Sequence, residues 1–373
     1  MIKIKDTFLK LTSRRYPNGT EDLAMSIVKE ILPDVEFKQD EFGNYFTIVL
    51  KTDGTFSDSM FTSHLDTIDS GPYNPKTIWD AETRVMVDNP EFTDKEDDKG
   101  IVHVFDGDFI KSDGETNLGA DDKAGTTILM NMISENVPGL YYFFLGEESG
   151  CIGSSSLSKV FETSNLPTIN RCIAFDRRGY DSVITHQGGQ TASNEFANEL
   201  ASRYNEYGFW YKADPTGVYT DSAEFTYVVA ECTNISVGYF SEHTKTERQD
   251  IDFLEMLAVV STKIAWDTLP IVREKDKAYS GKKSYGKYSG SAYSSGYNSR
   301  NHSGYGEYGN WTGAEDYYEN ESYGKMYPEK KNDDTKKAGK KFVDDGGKAV
   351  ETDIDEMEFE NWYNSQKKVE FQV

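Results

Sequence analysis

The ten residues Thr116–Gly125 read T-N-L-G-A-D-D-K-A-G and constrain the fold more than any other part of the chain. Their glycines and alanines let the main chain turn tightly, and two adjacent carboxylates, Asp121 and Asp122, occupy the turn. The apolar run Thr126–Ser134 follows directly and predicts a helix. Acidic residues at the start of a helix are typical of an ordinary N-terminal cap, but they also suit a binding site, so this stretch alone leaves both interpretations open.

Four other short segments share a property with this turn, because each contains His, Asp or Glu and follows an apolar, strand-like run. They are S-H-L-D-T at Ser63–Thr67, L-G-E-E-S-G at Leu145–Gly150, A-F-D-R-R-G at Ala174–Gly179 and G-Y-F-S-E-H-T-K-T-E at Gly238–Glu247. Imidazole and carboxylate together suit zinc and similar divalent ions. Ligands in open α/β sheets bind beyond the carboxyl ends of the strands, so the five segments are predicted to converge on one pocket.

The remaining periodicity predicts an α/β protein. Helices are expected at Ile2–Leu11, Glu21–Leu32, Gly153–Phe161, Thr191–Tyr207 and Ile251–Trp266. Strands are expected at Val35–Phe37, Tyr45–Leu50, Ser59–Ser63, Ile101–Phe105, Phe109–Lys111, Gly139–Leu145, Arg171–Phe175, Ser182–His186 and Asn234–Tyr239. The alternation of the two predicts a mainly parallel, mixed sheet sandwiched by helices. The long polar stretch Ile68–Gly114 is interpreted as an irregular excursion that ends in a hairpin.

Charge and composition exclude several classes of function. The formal net charge of −24 argues against a nucleic-acid partner. No apolar run is long enough to span a membrane, and the N-terminal residues lack the pattern of a secretory signal. The three cysteines, Cys151, Cys172 and Cys232, have no metal-type spacing and are predicted to be reduced, buried thiols of a cytoplasmic protein.

The composition changes near residue 275. Ala278–Trp311 consists mainly of Tyr, Ser, Gly and Lys without apolar periodicity, and Lys330–Lys348 is a run of mixed charge. Such segments bury too little apolar surface to offset the entropy of ordering. We therefore predict a folded domain at residues 1–272 and a largely disordered tail at 273–373, through which a protein partner could bind.

The order of five motifs resembles that of the co-catalytic zinc exopeptidases, which share one α/β fold. The motifs are H-L-D-T, G-A-D-D-K-A-G, G-E-E-S-G, a strand ending in Asp and a late E-H-T. The run Ser112–Gly125 and the wide separation of His64 from Asp121 are most similar to the peptidase T group of tripeptide aminopeptidases. The resemblance covers about residues 1–270 and depends on the five motifs in order, since each alone is weak. It implies hydrolysis of small peptides with two divalent ions, zinc or alternatively cobalt or manganese.

The resemblance also implies roles for individual residues. It implies metal ligands at His64, Asp121, Glu148, Asp176 and His243, with Asp121 bridging the two ions. Asp66 is then the carboxylate that orients His64, and Glu147 is the general base that takes a proton from water and delivers it to the leaving amine.

Each of these residues also has a plain structural interpretation. Glu147 and Glu148 suit a solvated strand end, Asp176 with the arginines that follow it suits a surface ion-pair cluster, and His243 suits an ordinary loop histidine. His186 and Asp221 are less certain candidates for the pocket, with a structural role favoured for both.

One departure from the family bears on specificity. Many relatives insert a lid or dimerisation domain between the Asp ligand and the last His ligand, whereas here the core strands and helix fill the stretch from Asp176 to His243. This predicts an enzyme without a lid and leaves tripeptide specificity open. Two further classes of function also remain: a metal-binding scaffold with weak or no catalysis, and an interaction protein that acts through its tail.

Overall fold

The structure is a computed structural model that describes residues 1–68, 77–80, 85–88, 100–275, 340–343 and 349–352. The chain divides into two compact units, Met1–Tyr285 and Gly286–Val373. No helix among the described residues is both long and apolar enough to cross a lipid bilayer.

The described part of the first unit alternates helices and strands, as the periodicity predicts. Its α-helices are α1 (Ile4–Leu11), α2 (Glu21–Ile31), α3 (Ala120–Ser134), α4 (Ile152–Ser158), α5 (Asn194–Asn205) and α6 (Ile251–Ser261). Its strands are β1 (Lys38–Gln39), β2 (Tyr45–Val49), β3 (Ser59–His64), β4 (Thr77–Asp80), β5 (Val85–Asp88), β6 (His103–Asp106), β7 (Phe109–Ser112), β8 (Gly139–Phe144), β9 (Arg171–Arg177), β10 (Ser182–Ile184), β11 (Lys212–Asp214), β12 (Glu231–Ser236), β13 (Tyr239–Phe240) and β14 (Arg248–Asp250). Short 3-10 helices lie at Phe161–Thr163, Asp221–Phe225 and Trp266–Thr268.

An eight-stranded sheet in the order β1-β2-β8-β3-β9-β12-β10-β11 forms the centre of the first unit. The pairs of β3 with β8, β3 with β9, β9 with β12 and β10 with β11 are parallel, while β1-β2, β2-β8 and β10-β12 are antiparallel. The predicted mixed, mainly parallel sheet is therefore confirmed. Because β8, β3, β9 and β12 run in the same direction, their carboxyl ends meet at one edge of the sheet.

Both faces of this sheet are buried, which explains the continuous apolar sequence of β8. Tyr141 and Phe143 pack into one core together with α3 and α6, whereas Leu140, Tyr142 and Phe144 pack into the second core on the opposite face. The alternation follows from the two-residue period of a strand. A sheet covered on both sides leaves its edges for a binding site.

A second, antiparallel sheet in the order β13-β14-β7-β6 connects two of the five motifs. In it, Arg248–Asp250 of β14 pairs with Phe109–Lys111 of β7. This pairing places the loop that precedes β14 beside the turn that leads into α3, although more than a hundred residues separate them in sequence.

Two predicted strands differ from the observed ones, and one short strand was not predicted. The outer strand of the first hairpin forms at Lys38–Gln39 rather than at Val35–Phe37, and the Phe37 ring packs edge-on against Phe143. The predicted strand Asn234–Tyr239 is two strands, because Gly238 between them has a left-handed φ of 89°. β11 was not predicted, since its three residues, Lys-Ala-Asp, carry no apolar pattern.

All residues between Asp176 and His243 are described, and they form β10, α5, β11, the 3-10 helix Asp221–Phe225, β12 and β13. All of these elements except β13 belong to the central sheet or cover it, and β13 belongs to the second sheet. Within this described stretch no separate domain is inserted, as the motif spacing predicts.

The predicted disorder of the tail concerns residues that lie outside the described ones, apart from residues 273–275 and two short strands. β15 (Lys340–Val343) and β16 (Ala349–Thr352) form an antiparallel pair in the second unit. The described part of the long excursion before residue 100 is likewise limited to the antiparallel pair β4-β5.

The last described residues of the first unit are held by a buried carboxylate, which yields a prediction about truncation. Glu231 accepts hydrogen bonds from the N–H groups of Ser193, at 2.7 Å, and of Val272 and Arg273, each at 2.8 Å. The Arg273 guanidinium also donates to the carbonyl of Ala230 at 3.0 Å. We expect a chain ending after Lys275 to keep the stability of the folded unit, and one ending after Ile271 to lose about 2–4 kcal/mol, because Glu231 is left with fewer donors. Urea denaturation of both truncations tests this, and equal midpoints would contradict it.

Candidate functional site

Side chains from five parts of the chain meet at the carboxyl-end edge of the central sheet. His64 ends β3, Glu147 and Glu148 follow β8, and Asp176 lies near the end of β9. Asp121 comes from the first turn of α3, and His243 comes from the loop between β13 and β14. The structure thus brings together every residue for which the sequence suggested a metal-binding or catalytic role.

Asp121 lies between two sets of potential ligands. Its Oδ1 is 2.9 Å from Nε2 of His64, and its Oδ2 is 3.2 Å from Nε2 of His243. Asp176 completes the first set, with Oδ1 3.6 Å from His64 Nε2, and Glu148 completes the second, with Oε1 3.0 Å from His243 Nε2. Within each set the ligand atoms lie within 4.8 Å of one another. One carboxylate is therefore shared by two groups, each of which could hold an ion.

Asp66 connects His64 to the two glutamates. Its Oδ1 is 3.3 Å from His64 Nδ1, and its carbonyl oxygen is 3.1 Å from the same nitrogen. Its two carboxylate oxygens accept the N–H groups of Glu147, at 3.0 Å, and Glu148, at 3.1 Å. The fully buried Asp66 thus fixes the ring of His64 with Nε2 toward Asp121 and holds the segment after β8.

Two glycines explain why the turn into α3 has this sequence. Gly119 has a left-handed φ of 76°, which favours glycine over any residue with a Cβ. A Cβ on Gly125 would lie 2.1 Å from the carbonyl oxygen of Phe175. Gly125 therefore lets α3 approach β9 closely, which brings Asp121 toward Asp176.

Glu247 is a buried residue of the site that the sequence analysis missed. Its Oε2 accepts the N–H of Gly119 at 2.7 Å, and its Oε1 accepts the N–H of Asp121 at 3.0 Å. Burial, together with the nearby charge of Asp121, raises the pKa of Glu247 to about 8. Glu247 lies four residues after His243, so it couples the loop of one potential ligand to the turn of another. The late motif contains it, but the motif alone does not show which main-chain groups it meets.

Lys123 is a second residue whose role was not predicted. Its ammonium group is fully buried, donates to the carbonyls of Leu65 at 2.7 Å and Asp66 at 3.2 Å, and lies 5.1 Å from the centre of the Tyr16 ring. Lys123 thereby holds the main chain of the segment that carries His64. The sequence signal that could have indicated this role is a lysine placed between the small residues of the turn and the apolar run that follows.

Asp176 is held by three polar neighbours. Thr220 Oγ1 donates to its Oδ2 at 2.7 Å, Tyr239 OH lies 3.2 Å from its Oδ1, and its N–H donates to Asn234 Oδ1 at 2.9 Å. These contacts direct Oδ1 of Asp176 toward His64. The alternative of a surface ion-pair cluster does not fit, because the side chain of Asp176 is only 9% exposed.

The electrostatics of the site show an excess of buried negative charge. Burial, reinforced by the charge of Asp121, raises the pKa values of Asp176 and Glu148, and burial also raises the pKa of Glu147 well above its usual range. Although burial lowers the pKa of His243, its contacts with Asp121 and Glu148 raise it to about 11. Crowded carboxylates beside two imidazoles are the ligand chemistry of divalent ions, so these residues fit a metal centre.

The plain structural interpretations can now be compared with the observed positions. The side chain of Glu148 is only 9% exposed, so the Glu147–Glu148 pair is not a solvated strand end. His243 is more exposed but contacts Asp121 and Glu148 from a loop in which its own φ is 65°. His186 contacts Thr185 Oγ1 at 2.9 Å, in keeping with a structural role. Asp221 begins a 3-10 helix and accepts a hydrogen bond from Ser154 at 2.5 Å.

The buried position of Glu247 yields a prediction for its substitution by glutamine. Both carboxylate oxygens accept N–H groups, so Glu247→Gln must direct its NH₂ group at the N–H of either Gly119 or Asp121. We expect metal affinity to fall about 10–100-fold with little change in fold, since Asp121 loses its main-chain support. Titration calorimetry with zinc, compared between the two proteins, measures the effect. As a control, Glu199→Gln changes an exposed carboxylate on α5 and should leave zinc affinity unchanged.

Comparisons of the sequence with known proteins give one short match. No protein-family model matches the chain. A curated relative, the uncharacterised protein YqjE of Bacillus subtilis (strain 168), is 31% identical over 112 residues. That match covers 28% of this chain and only 23% of the relative's length.

Several solved structures match about 70% of this chain. Aminopeptidase PepT from Bacillus cereus ATCC 10987 has a TM-score of 0.55 at 16% identity, covering 71% of this chain and 98% of its own. A tripeptidase from Staphylococcus aureus subsp. aureus Mu50 has a TM-score of 0.52 at 17% identity, covering 70% and 96%. An aminopeptidase from the archaeon Desulfurococcus kamchatkensis has a TM-score of 0.51 at 15% identity, covering 70% and 93%. The chain thus shares its fold with solved aminopeptidases and a tripeptidase, as the sequence motifs predict.

Proposed function

We propose that this protein is a metal-dependent exopeptidase that hydrolyses peptide bonds of small peptides. The observation that carries the proposal is that the carboxylate of Asp121 is shared by two groups of potential metal ligands. Glu147 lies beside these groups and belongs to neither of them. The fold it shares with solved aminopeptidases and a tripeptidase supports the same class of reaction.

His64, Asp121 and Asp176 would hold one divalent ion, and Asp121, Glu148 and His243 would hold the other. Zinc suits this mixture of imidazole and carboxylate, with cobalt or manganese as alternatives. When bound, such a pair of ions supplies a Lewis acid for the scissile carbonyl and an acidified water. Asp66 would keep His64 in the orientation and tautomer that leave Nε2 free to bind.

Glu147 is the residue best placed to move the proton. Burial raises its pKa well above the usual range, which favours the protonated form that it would carry between taking a proton from water and giving it to the leaving amine. Asp66 accepts the main-chain N–H of Glu147, which fixes the start of its side chain. Lys123 and Glu247 stabilise the segments on either side and do not touch the reacting groups.

An aminopeptidase acting on small peptides is a safer proposal than a strict tripeptidase. In the resembling family, part of the substrate recognition is attributed to the lid, and none is inserted in the described stretch between Asp176 and His243. The proposal includes a cytoplasmic location, which the three free thiols favour, and a protein partner that binds through the tail.

Metal analysis combined with hydrolysis of a panel of amino-acid amides, dipeptides and tripeptides tests this function. We expect bound divalent metal, turnover of at least one class of substrate, loss of turnover with a chelator and recovery with zinc. Metal binding without turnover of any member of the panel would instead favour the non-catalytic scaffold. Turnover that survives complete metal removal would contradict the proposal.

A further inference from the structure

Three large apolar side chains are exposed beside the buried polar cluster. Ile152 is 51% exposed, Val218 is 64% exposed and Tyr219 is 53% exposed. We call these three residues the apolar rim. Exposed apolar side chains grouped beside convergent polar groups are typical of a ligand-binding surface.

Ile152, on one side of the apolar rim, lies next to a residue that contacts Glu147. Sγ of Cys151 lies 3.6 Å from Oε1 of Glu147, and the N–H of the next residue, Ile152, donates to the carbonyl of Gly146 at 3.0 Å. The Ile152 side chain also packs over Gly146, since its Cδ1 is 3.2 Å from where a Cβ there would lie. Ile152 therefore sits directly over the main chain that leads into the two glutamates.

The other side of the apolar rim is attached to Asp176. Thr220, which follows Tyr219, donates to Oδ2 of Asp176 at 2.7 Å. The next residue, Asp221, accepts a hydrogen bond from Ser154 of α4 at 2.5 Å, which ties the two sides together. The Tyr219 hydroxyl bonds to the carboxylate of Glu224, so its ring has a fixed position.

We propose that the apolar rim is the subsite for an apolar or aromatic substrate side chain next to the scissile bond, and that Tyr219 determines this specificity. The inference rests on the proposed function. Ile152 follows Cys151, which contacts Glu147, and Tyr219 precedes Thr220, which binds Asp176, so both rim residues adjoin the groups that would surround the scissile bond. Acidic side chains are disfavoured there, because the carboxylate of Glu224, which accepts the Tyr219 hydroxyl, places negative charge beside the rim.

Kinetics of the metal-loaded full chain test the subsite. The substrates are the amides of leucine, phenylalanine, alanine and glutamate, together with alanyl dipeptides of the same four residues. We expect the wild type to prefer leucine and phenylalanine in one of the two series. Tyr219→Ala should lower kcat/KM for those substrates about 10–100-fold and leave the alanine substrate nearly unchanged. Tyr219→Phe should keep the preference, because it keeps the ring.

Two further variants make the result specific to the rim. Phe56→Ala removes another exposed aromatic ring, which precedes β3 at the end of the sheet opposite the site, and should leave the rates with all the substrates unchanged. Ile152→Ala, on the other side of the rim, should reproduce the selective loss and decides the matter if Tyr219→Ala does not fold. An equal loss on all substrates in both rim variants would overturn the inference.

Binding of a product separates this inference from the proposed function. Titration calorimetry measures the affinity of the metal-loaded protein for L-leucine and for glycine. The wild type could fail to hydrolyse any substrate and still bind leucine more tightly than glycine, with this difference lost in Tyr219→Ala. That result would contradict the proposed function and support the apolar rim as a binding site. Equal affinities for leucine and glycine in the wild type would overturn the rim.

Discussion

Glu147→Gln is expected to keep both metal ions and to lose about 10²–10⁴-fold in kcat, the usual contribution of a general base. The substitution keeps the shape of the side chain and the main-chain N–H that Asp66 accepts. Glu147 belongs to neither group of potential ligands, so its loss removes no metal-binding atom. Metal content per chain and kcat for a small peptide, measured on the same preparation, test both halves of the expectation.

The neighbouring residue provides the matched control for this variant. Glu148→Ala removes Oε1, the atom 3.0 Å from His243 Nε2, and is expected to lower metal affinity. Neighbouring side chains at a strand end diverge, which is why two adjacent glutamates can have different roles. If Glu147→Gln loses metal, or keeps most of its activity, the roles of Glu147 and Glu148 have been assigned wrongly.

The parts of the fold that the sequence predicts well are those set by local pattern. β8 is predicted because an unbroken apolar run must be buried on both faces, and Ser59–His64 extends the predicted strand by a single residue. The candidate site follows from these strands, because His64, Glu147 and Asp176 each stand at or just after a strand's carboxyl end. Parallel pairing then leaves them only one edge of the sheet on which to meet.

The parts that the sequence does not predict depend on contacts between distant segments. Glu247 meets the N–H groups of Gly119 and Asp121 only because β14 pairs with β7, and no local pattern specifies that pairing. The interruption of the predicted strand at Gly238 also depends on strand pairing, because β13 leaves the central sheet to pair with β14. Charged residues such as Lys123 look like surface residues in a sequence until the carbonyls that surround them are known.

Asp121→Asn is expected to lose both metal ions, and Glu148→Gln only one. Asp121 contributes Oδ1 to the group containing His64 and Oδ2 to the group containing His243, whereas Glu148 contributes to the second group alone. An amide offers one oxygen and a non-ligating NH₂ group, and it also removes the negative charge that two neighbouring dications require. Hydrolysis by Asp121→Asn should therefore fall below detection.

Elemental analysis of the dialysed proteins gives the number of ions per chain, with about two expected for the wild type, about one for Glu148→Gln and less than one for Asp121→Asn. Glu242→Gln is the control, because Glu242 neighbours His243 in sequence but bonds to Arg178. It should keep the wild-type metal content. If Asp121→Asn retains both ions, or if Glu148→Gln loses as many ions as Asp121→Asn, then Asp121 does not bridge two separate sites and a single-ion centre becomes the better description.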